Sequence, residues 1–418
     1  MKIADVKGRR VWDSRGRPTI EAEVRLAGGA VGRAIAPAGA SRGMFEAIDL
    51  RDGGEDFGGY GVEDALENVN TTIARLIEGM DARDQEAVDL AIIDLDDTDT
   101  KSKLGGNATI AVSMAVLHAA ANGQKTPLWK YLADGNDVRL PMPEIQIFGG
   151  GAHAGGRVDI QDFMAIPVGA ESFDEALEMI AEVYIAAGKL MADAGTLSGV
   201  ADEGGFWPAF NTNEEALDML TRAIEAADMQ PGEDVAISLD VAASEFGKNG
   251  IYKLGLENRE LDGAGMVDML GEWINRYPII SIEDPLGEDD PEPFRDFTRK
   301  YGDEIQIIGD DFLVTNAERI DNAADAGICN SALIKPNQAG TITETKAALD
   351  AAKRVGWATV VSARSGETED VTIAHLAVGW NAGQLKVGSF ARSERMAKWN
   401  EVLRIEEALG DRAILAGT

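Results

Sequence analysis

Asp240, Glu283, Asp310, Lys335 and Lys386 share a setting: each directly follows a short apolar run. Ala236-Ile-Ser-Leu239 ends in Asp240, Pro278 to Ile282 in Glu283, Ile305 to Gly309 in Asp310, and Ser331 to Ile334 in Lys335. Ala358 to Ser362 leads into Ala363-Arg364-Ser365, and Gln384-Leu385 into Lys386. Three carboxylates of this kind suit a hard divalent cation, which takes oxygen ligands and keeps room for water. A thiolate or imidazole centre has little to draw on. The chain has one cysteine, Cys329, and three dispersed histidines, His118, His153 and His375. Carboxylates, lysines and an arginine gathered at one place outline an active site.

Something must gather them. Continuous apolar runs of this length suit strands covered on both faces. Between them lie stretches long enough for a helix, as in Ala317 to Ala326 and Thr343 to Arg354. Strand, helix and strand at this rhythm predict a parallel barrel, whose chemistry sits at the C-terminal ends of its strands. Two further strands open it, Glu144 to Phe148 and Val158 to Ile166, read as an antiparallel pair around a glycine-rich loop. The helical segments Phe173 to Ala192 and Asn213 to Ala227 come next. Ahead of the barrel, Ala4 to Trp12, Thr19 to Leu26 and Val31 to Pro37 read as strands. From Val62 to Ala133 the apolar spacing turns helical. Asp134-Gly-Asn-Asp137, before Leu140-Pro-Met-Pro143, is the natural boundary.

The 418 residues suffice for two cores, and the formal net charge is −33. So acidic a surface repels nucleic acid and anionic membranes, and neither is expected as a partner. The excess suits a salt-adapted cell or a merely acidic mesophilic enzyme. No apolar run is long enough to span a bilayer and Met1-Lys-Ile-Ala-Asp-Val6 lacks a signal-peptide core, so a cytoplasmic location is expected. One cysteine excludes an internal disulfide, and Cys329 reads as a small packed residue.

Several strings carry a family resemblance. Ser281-Ile-Glu-Asp-Pro-Leu-Gly-Glu-Asp-Asp290, Leu333-Ile-Lys-Pro-Asn-Gln-Ala-Gly-Thr341, Arg364-Ser-Gly-Glu-Thr-Glu-Asp370 and Ala391-Arg-Ser-Glu-Arg395 resemble enolase, from Arg9 to about Gly410. The resemblance implies an enolase-type (β/α)8 barrel, residues 139–418, preceded by a smaller α+β lid or capping domain, residues 1–134. It implies a homodimer or higher homo-oligomer. It also implies a glycolytic lyase that takes the proton beside a carboxylate and expels water, turning 2-phosphoglycerate into phosphoenolpyruvate. Such a reaction builds a dianionic enolate, whose charge divalent cations offset. Magnesium is the metal expected at Asp240, Glu283 and Asp310, with a second ion partly held by the mobile-loop serine, Ser41.

Lys335 matches the general base, and a lysine among cations loses its proton more easily. Lys386 matches the lysine at the substrate carboxylate. Arg364 and Ser365 match the phosphate-binding pair; a guanidinium gives the paired hydrogen bonds a phosphate prefers. Glu203, in Asp202-Glu-Gly-Gly205, matches the acid. His153, in Gly150-Gly-Ala-His-Ala-Gly-Gly156, matches a histidine on a closing loop. Gln161 and Asp162 stand where the family has Gln-Glu.

The pattern also departs. Ala363 replaces the usual histidine, Asp162 the usual glutamate, Gly149 an asparagine and Arg42 a threonine; Phe206-Trp-Pro-Ala209 replaces Phe-Ala-Pro-Asn. These changes read as clustered on the leaving-group and lid side. Asp162, one methylene shorter, is expected to fall short of the substrate hydroxyl, and Ala363 has lost a donor. Two other readings therefore stand beside the enolase reaction. One is an enolase-derived enzyme for a related phosphorylated or phosphonate acid, similar to carboxyphosphonoenolpyruvate synthase. The other is a non-catalytic binding protein.

Overall fold

A computed structural model describes residues 1–417. Three antiparallel strands, β1 (Ile3–Trp12), β2 (Pro18–Leu26) and β3 (Val31–Ile35), open the chain. The turn between β1 and β2 is fixed by Asp13, whose Oδ1 accepts from the backbone N–H groups of Arg15 and Arg17, both at 2.9 Å. Helical stretches Glu63–Glu67, Asn68–Ile73 and Ala74–Ile77 follow one another without a break, the middle one wound in wider π turns. The helix Gly106–Gly123 is buried along most of its length and lies on this sheet. It approaches closely because Gly32 has no side chain: a Cβ there would lie 2.1 Å from the backbone nitrogen of Ala119.

The rest of the chain forms the barrel. Its early strands are β4 (Met142–Gly149), β5 (Asp162–Ile166) and β6 (Ala236–Asp240). A small antiparallel sheet follows, with β7 (Gly247–Lys248), β8 (Ile251–Leu254) and β9 (Arg259–Asp262). Then come β10 (Ile279–Glu283), β11 (Gln306–Gly309), β12 (Ser331–Ile334), β13 (Ala358–Ser362) and β14 (Gly383–Gly388). The ring closes in the order β10, β11, β12, β13, β14, β4, β5, β6. All neighbours are parallel except those of β5, which runs antiparallel to both β4 and β6.

The sequence reading put a strand from Val158, but 158–161 are bends, and the ladder begins at Asp162. The glycine-rich loop uses these residues to fold back: Gly150 N–H donates to the carbonyl of Gln161 at 2.7 Å. Inside the ring, Ile308, Leu333 and Val360 make a small apolar cluster of their own. A polar cluster lies beside it. Gln384 donates to Glu144 at 2.8 Å and to Gln306 at 3.0 Å, and burial pushes the Glu144 carboxyl up to about 7.

The opening sheet and its helices seat on the mouth of the barrel. Thr109 donates to the carbonyl of Gly340 at 2.8 Å, and Ile342 N–H donates to Ser113 Oγ at 2.9 Å. Ala38 and Gly366 exchange two backbone hydrogen bonds of 2.9 Å. That exchange carries the segment Gly39 to Ser41 to the strand ends.

Candidate active site

In a ring of eight strands, β12 and β5 face each other across the axis. Lys335 follows β12 directly, and Asp162 begins β5. Because β5 is reversed, its first residue reaches the same mouth as the last residues of its neighbours. Asp162 pairs with Gly149 on one side and Asp240 on the other.

Lys335 donates through Nζ to Asp310 Oδ2. Gln338 Nε2 donates to the other oxygen of Asp310 at 2.9 Å, and Gln338 Oε1 accepts from Thr315 Oγ1 at 2.7 Å. Thr315 in turn accepts from the backbone N–H of Lys335 at 2.9 Å, closing the loop. Thr315 and its neighbour Val314 hold positive φ values of 51° and 46°. That conformation is costly for β-branched residues and marks a segment its surroundings constrain. The sequence reading set Lys335 among cations. In the structure burial is the largest single influence and pulls its pKa down, Asp310 and then Glu283 push it up, and the net direction is upward. Burial would raise Asp310, but Lys335 beside it holds the carboxyl low.

Lys386 lies between Asp240 and Glu283, with Nζ 2.7 Å from Asp240 Oδ2 and 2.8 Å from Glu283 Oε2. Asp162 Oδ2 is 3.6 Å away. Burial opposes the lysine's charge, but these carboxylates raise its pKa well above the usual value. Asp240, Glu283 and Asp310, expected to converge, do not form one tight group. Among the described residues, the clusters of three or more acidic, cysteine or imidazole groups whose ligand atoms all approach within 4.8 Å are Asp284–Asp310–Asp311 and His153–Asp162–Glu203. Lys386 pairs instead with Asp240 and Glu283, and Lys335 with Asp310. Glu283 Oε1 is nevertheless buried without a hydrogen-bond partner. An all-oxygen set with an orphaned carboxylate oxygen, already wrapped round a cation, fits a hard divalent ion. Asp284, given no role in the sequence reading, caps the turn after β11 by accepting from the N–H groups of Asp310 and Asp311 at 2.9 and 2.8 Å.

On the other wall, His153 Nδ1 is 3.0 Å from Asp162 Oδ1, and its Nε2 is 3.2 Å from Ser365 Oγ and 3.7 Å from Glu203 Oε1. Burial opposes a charged imidazole. Glu203 and then Asp162 outweigh it and raise the pKa to about 9. Burial would raise Asp162, but His153 and Lys386 hold it below the usual carboxylate range. Asp162 Oδ1 also accepts from Gln146 Nε2. Gln161 Nε2 donates to Asp240 Oδ2 at 3.1 Å.

Arg364 Nη1 donates to Asn337 at 3.0 Å and lies 3.2 Å from Glu46, while Nη2 donates to the carbonyl of Ser41 at 2.9 Å. A Cβ on Gly39 would sit 2.0 Å from Nη2, so this glycine is what lets the arginine through. Behind the pair stands a residue the sequence reading assigned no role, Arg395. It is wholly buried and donates to the carbonyl of Arg364 at 2.7 Å and to that of Ser365. Its signal was present in Ala391-Arg-Ser-Glu-Arg395, but a buried arginine serving carbonyls cannot be told from a surface one by type alone.

The sequence-named residues other than Glu283 and Asp310 line one cavity of about 20 Å³, with Ser362 and Ala363 in its wall. That is room for roughly one water molecule. The departures only partly cluster here: Gly149 pairs with Asp162 and donates to the carbonyl of Phe206 at 3.3 Å, whereas Arg42 stands apart from them. Asp162 and Ala363 face the cavity, and Gly149 lies behind it against Gln146. Arg42 is exposed, and Phe206 stacks on Tyr184 with ring centroids 4.3 Å apart.

Residues 3–132 match the family described as Enolase, N-terminal domain, and residues 137–418 the one described as Enolase, C-terminal TIM barrel domain. This chain belongs to the enolase family. It is similar to Enolase 1 of Desulfitobacterium hafniense (strain Y51), 52% identical over 415 residues, which span 99% of this chain and 95% of that protein. An enolase barrel with a small N-terminal domain is therefore the architecture into which these side chains fold.

Proposed function

We propose that the chain catalyses the enolase reaction, the reversible loss of water from 2-phosphoglycerate to give phosphoenolpyruvate. It is a carbon–oxygen lyase. The observation that carries this reading is one small cavity shared by Lys335, by Glu203 with His153, and by Arg364 with Ser365. A base, an acid and an anion clamp are what this elimination needs, and the family membership supports the same assignment.

Asp240, Glu283 and Asp310 would hold magnesium, with Ser41 reaching a second ion. Bound there, the metal supplies positive charge against the enolate's carboxylate. Lys335, as the free amine, takes the proton from the carbon beside the carboxylate, and that bonding pair becomes the enolate. The pair then forms the new double bond as the carbon–oxygen bond breaks. Glu203 gives a proton to the departing hydroxide, which leaves as water. His153, carrying charge at neutral pH, orients Asp162 and Glu203 toward that leaving group. Arg364 and Ser365 hold the phosphate, Lys386 the carboxylate, and Gln161 the Asp240 side chain. The resting ion pairs of Lys335 and Lys386 must open for any of this, since a cavity of about 20 Å³ holds no phosphoglycerate. Residues 1–134 act as a lid over the barrel of residues 139–418, in a cytoplasmic homo-oligomer. Among the described residues, no helix is long and apolar enough to cross a membrane.

Purified protein stripped of divalent ions should form no phosphoenolpyruvate from 2-phosphoglycerate, and added magnesium should restore it. Undiminished activity in excess chelator would contradict the metal assignment.

A further inference from the structure

Gln146 lies on β4, and only 1% of it is exposed. Its side-chain amide makes two bonds of opposite sense. Nε2 donates to Asp162 Oδ1, and Oε1 accepts from the backbone N–H of Gly205 at 2.8 Å. A carboxylate can only accept and an N–H can only donate, so a single orientation of the amide satisfies both. Gly205 closes the turn Asp202 to Gly205 that carries Glu203. The amide therefore ties the carboxylate of Asp162 to the segment holding the acid.

Two glycines make the room. A Cβ on Gly205 would lie 2.5 Å from Gln146 Oε1, and one on Gly149 would lie 2.6 Å from Ala201 Cβ and 3.2 Å from the same Oε1. Gly149 is also the register partner of Asp162. A shortened acid, an emptied neighbouring position and an amide reaching into the gap thus belong to one arrangement. It leaves the two oxygens of Asp162 unlike each other. Oδ1 is taken by Gln146 and His153, whereas Oδ2 has no hydrogen-bond partner and lies 3.6 Å from Lys386.

We propose that Gln146 is a positioning residue: it holds Asp162 by Oδ1, in register with the Glu203 turn, so that Oδ2 is the oxygen offered to the substrate's leaving-group side. This rests on the enolase reading of the site. Gln146 touches neither substrate nor Lys335, which stands across the ring. Its loss falls on elimination and spares proton abstraction.

The test compares wild type, Gln146→Leu and Gln146→Glu with 2-phosphoglycerate and magnesium. It follows phosphoenolpyruvate formation and the entrance of solvent deuterium at the carbon beside the carboxylate. Gln146→Leu should slow elimination about tenfold or more while exchange falls by less than about threefold. Gln146→Glu keeps the shape, so it guards against a variant that fails to fold. Its carboxyl can donate to Asp162 and accept from Gly205 only when protonated. Elimination by Gln146→Glu should therefore climb toward the wild-type rate as pH falls, a limb that neither wild type nor Gln146→Leu shows. Equal losses of exchange and elimination, or a pH-independent loss in Gln146→Glu, would overturn the positioning role while the reaction stands. A wild type inert in both readouts would overturn the reaction itself and this role with it.

Discussion

At the scale of single residues, the site is built from ion pairs that must be rearranged to work. Lys386 between Asp240 and Glu283, and Lys335 on Asp310, keep buried charges matched, because an unpaired buried charge is far more costly. The residue types were legible in the sequence: each ends an apolar run, and a charged residue there has only the barrel mouth to occupy. Their pairing was not, because it depends on which strands become neighbours in the closed ring. The same applies to Asp162: its missing methylene was legible, but the Gln146 amide that holds its Oδ1 was not. Two substitutions test this arrangement. Ala363→His adds a donor in the cavity wall, and it should raise phosphoenolpyruvate formation more than deuterium exchange. Asp162→Glu must push its extra methylene into space the Gln146 amide fills. It should cost about 1–3 kcal/mol in chemical denaturation and lower the elimination rate. A gain of both stability and rate in Asp162→Glu would show that the shorter acid was merely tolerated.

At the scale of elements, one reversed strand and one docked helix do most of the positioning. The antiparallel opening of the barrel was legible, and it is what delivers Asp162 to the mouth. The small sheet β7–β9 was not, because strands of two to four residues with exposed faces carry too little pattern to detect. Helix Gly106–Gly123 carries a second feature that residue types do not announce. His118 on it faces His375 of helix Thr372–Gly379, with ring centroids 6.5 Å apart. His118 also bonds Thr372 at 2.8 Å, and His375 lies 3.5 Å from Glu401 with Nδ1 unpartnered. Burial, then His118, pulls the His375 pKa from 6.5 down to about 4. The unfolded chain therefore takes up that proton first as pH falls. The contribution of a neutral His375 is complete above about 6.5 and is lost progressively toward about 4. Between pH 7 and pH 5, wild type should lose more unfolding free energy than His375→Leu. Equal losses would mean the imidazole titrates normally in the fold.

At the scale of the whole molecule, the acidic surface and the cationic site oppose each other. A net charge of −33 disfavours the approach of a phosphorylated acid, and only the buried lysines and arginines of the mouth favour it. The chain of 44.5 kDa is expected to assemble with copies of itself, and light scattering at micromolar protein should return at least twice that mass in both low and high salt. A monomer in both would refute the assembly. The central claim is that this barrel removes a proton with Lys335 and expels water on the opposite wall. One measurement bears on it most directly: 2-phosphoglycerate and magnesium in deuterated water, with deuterium entrance and phosphoenolpyruvate formation followed together for wild type and Lys335→Ala. Wild type should show both processes, and Lys335→Ala should show neither. Deuterium entering at near the wild-type rate in Lys335→Ala, or a wild type that leaves the substrate unchanged, would contradict the account.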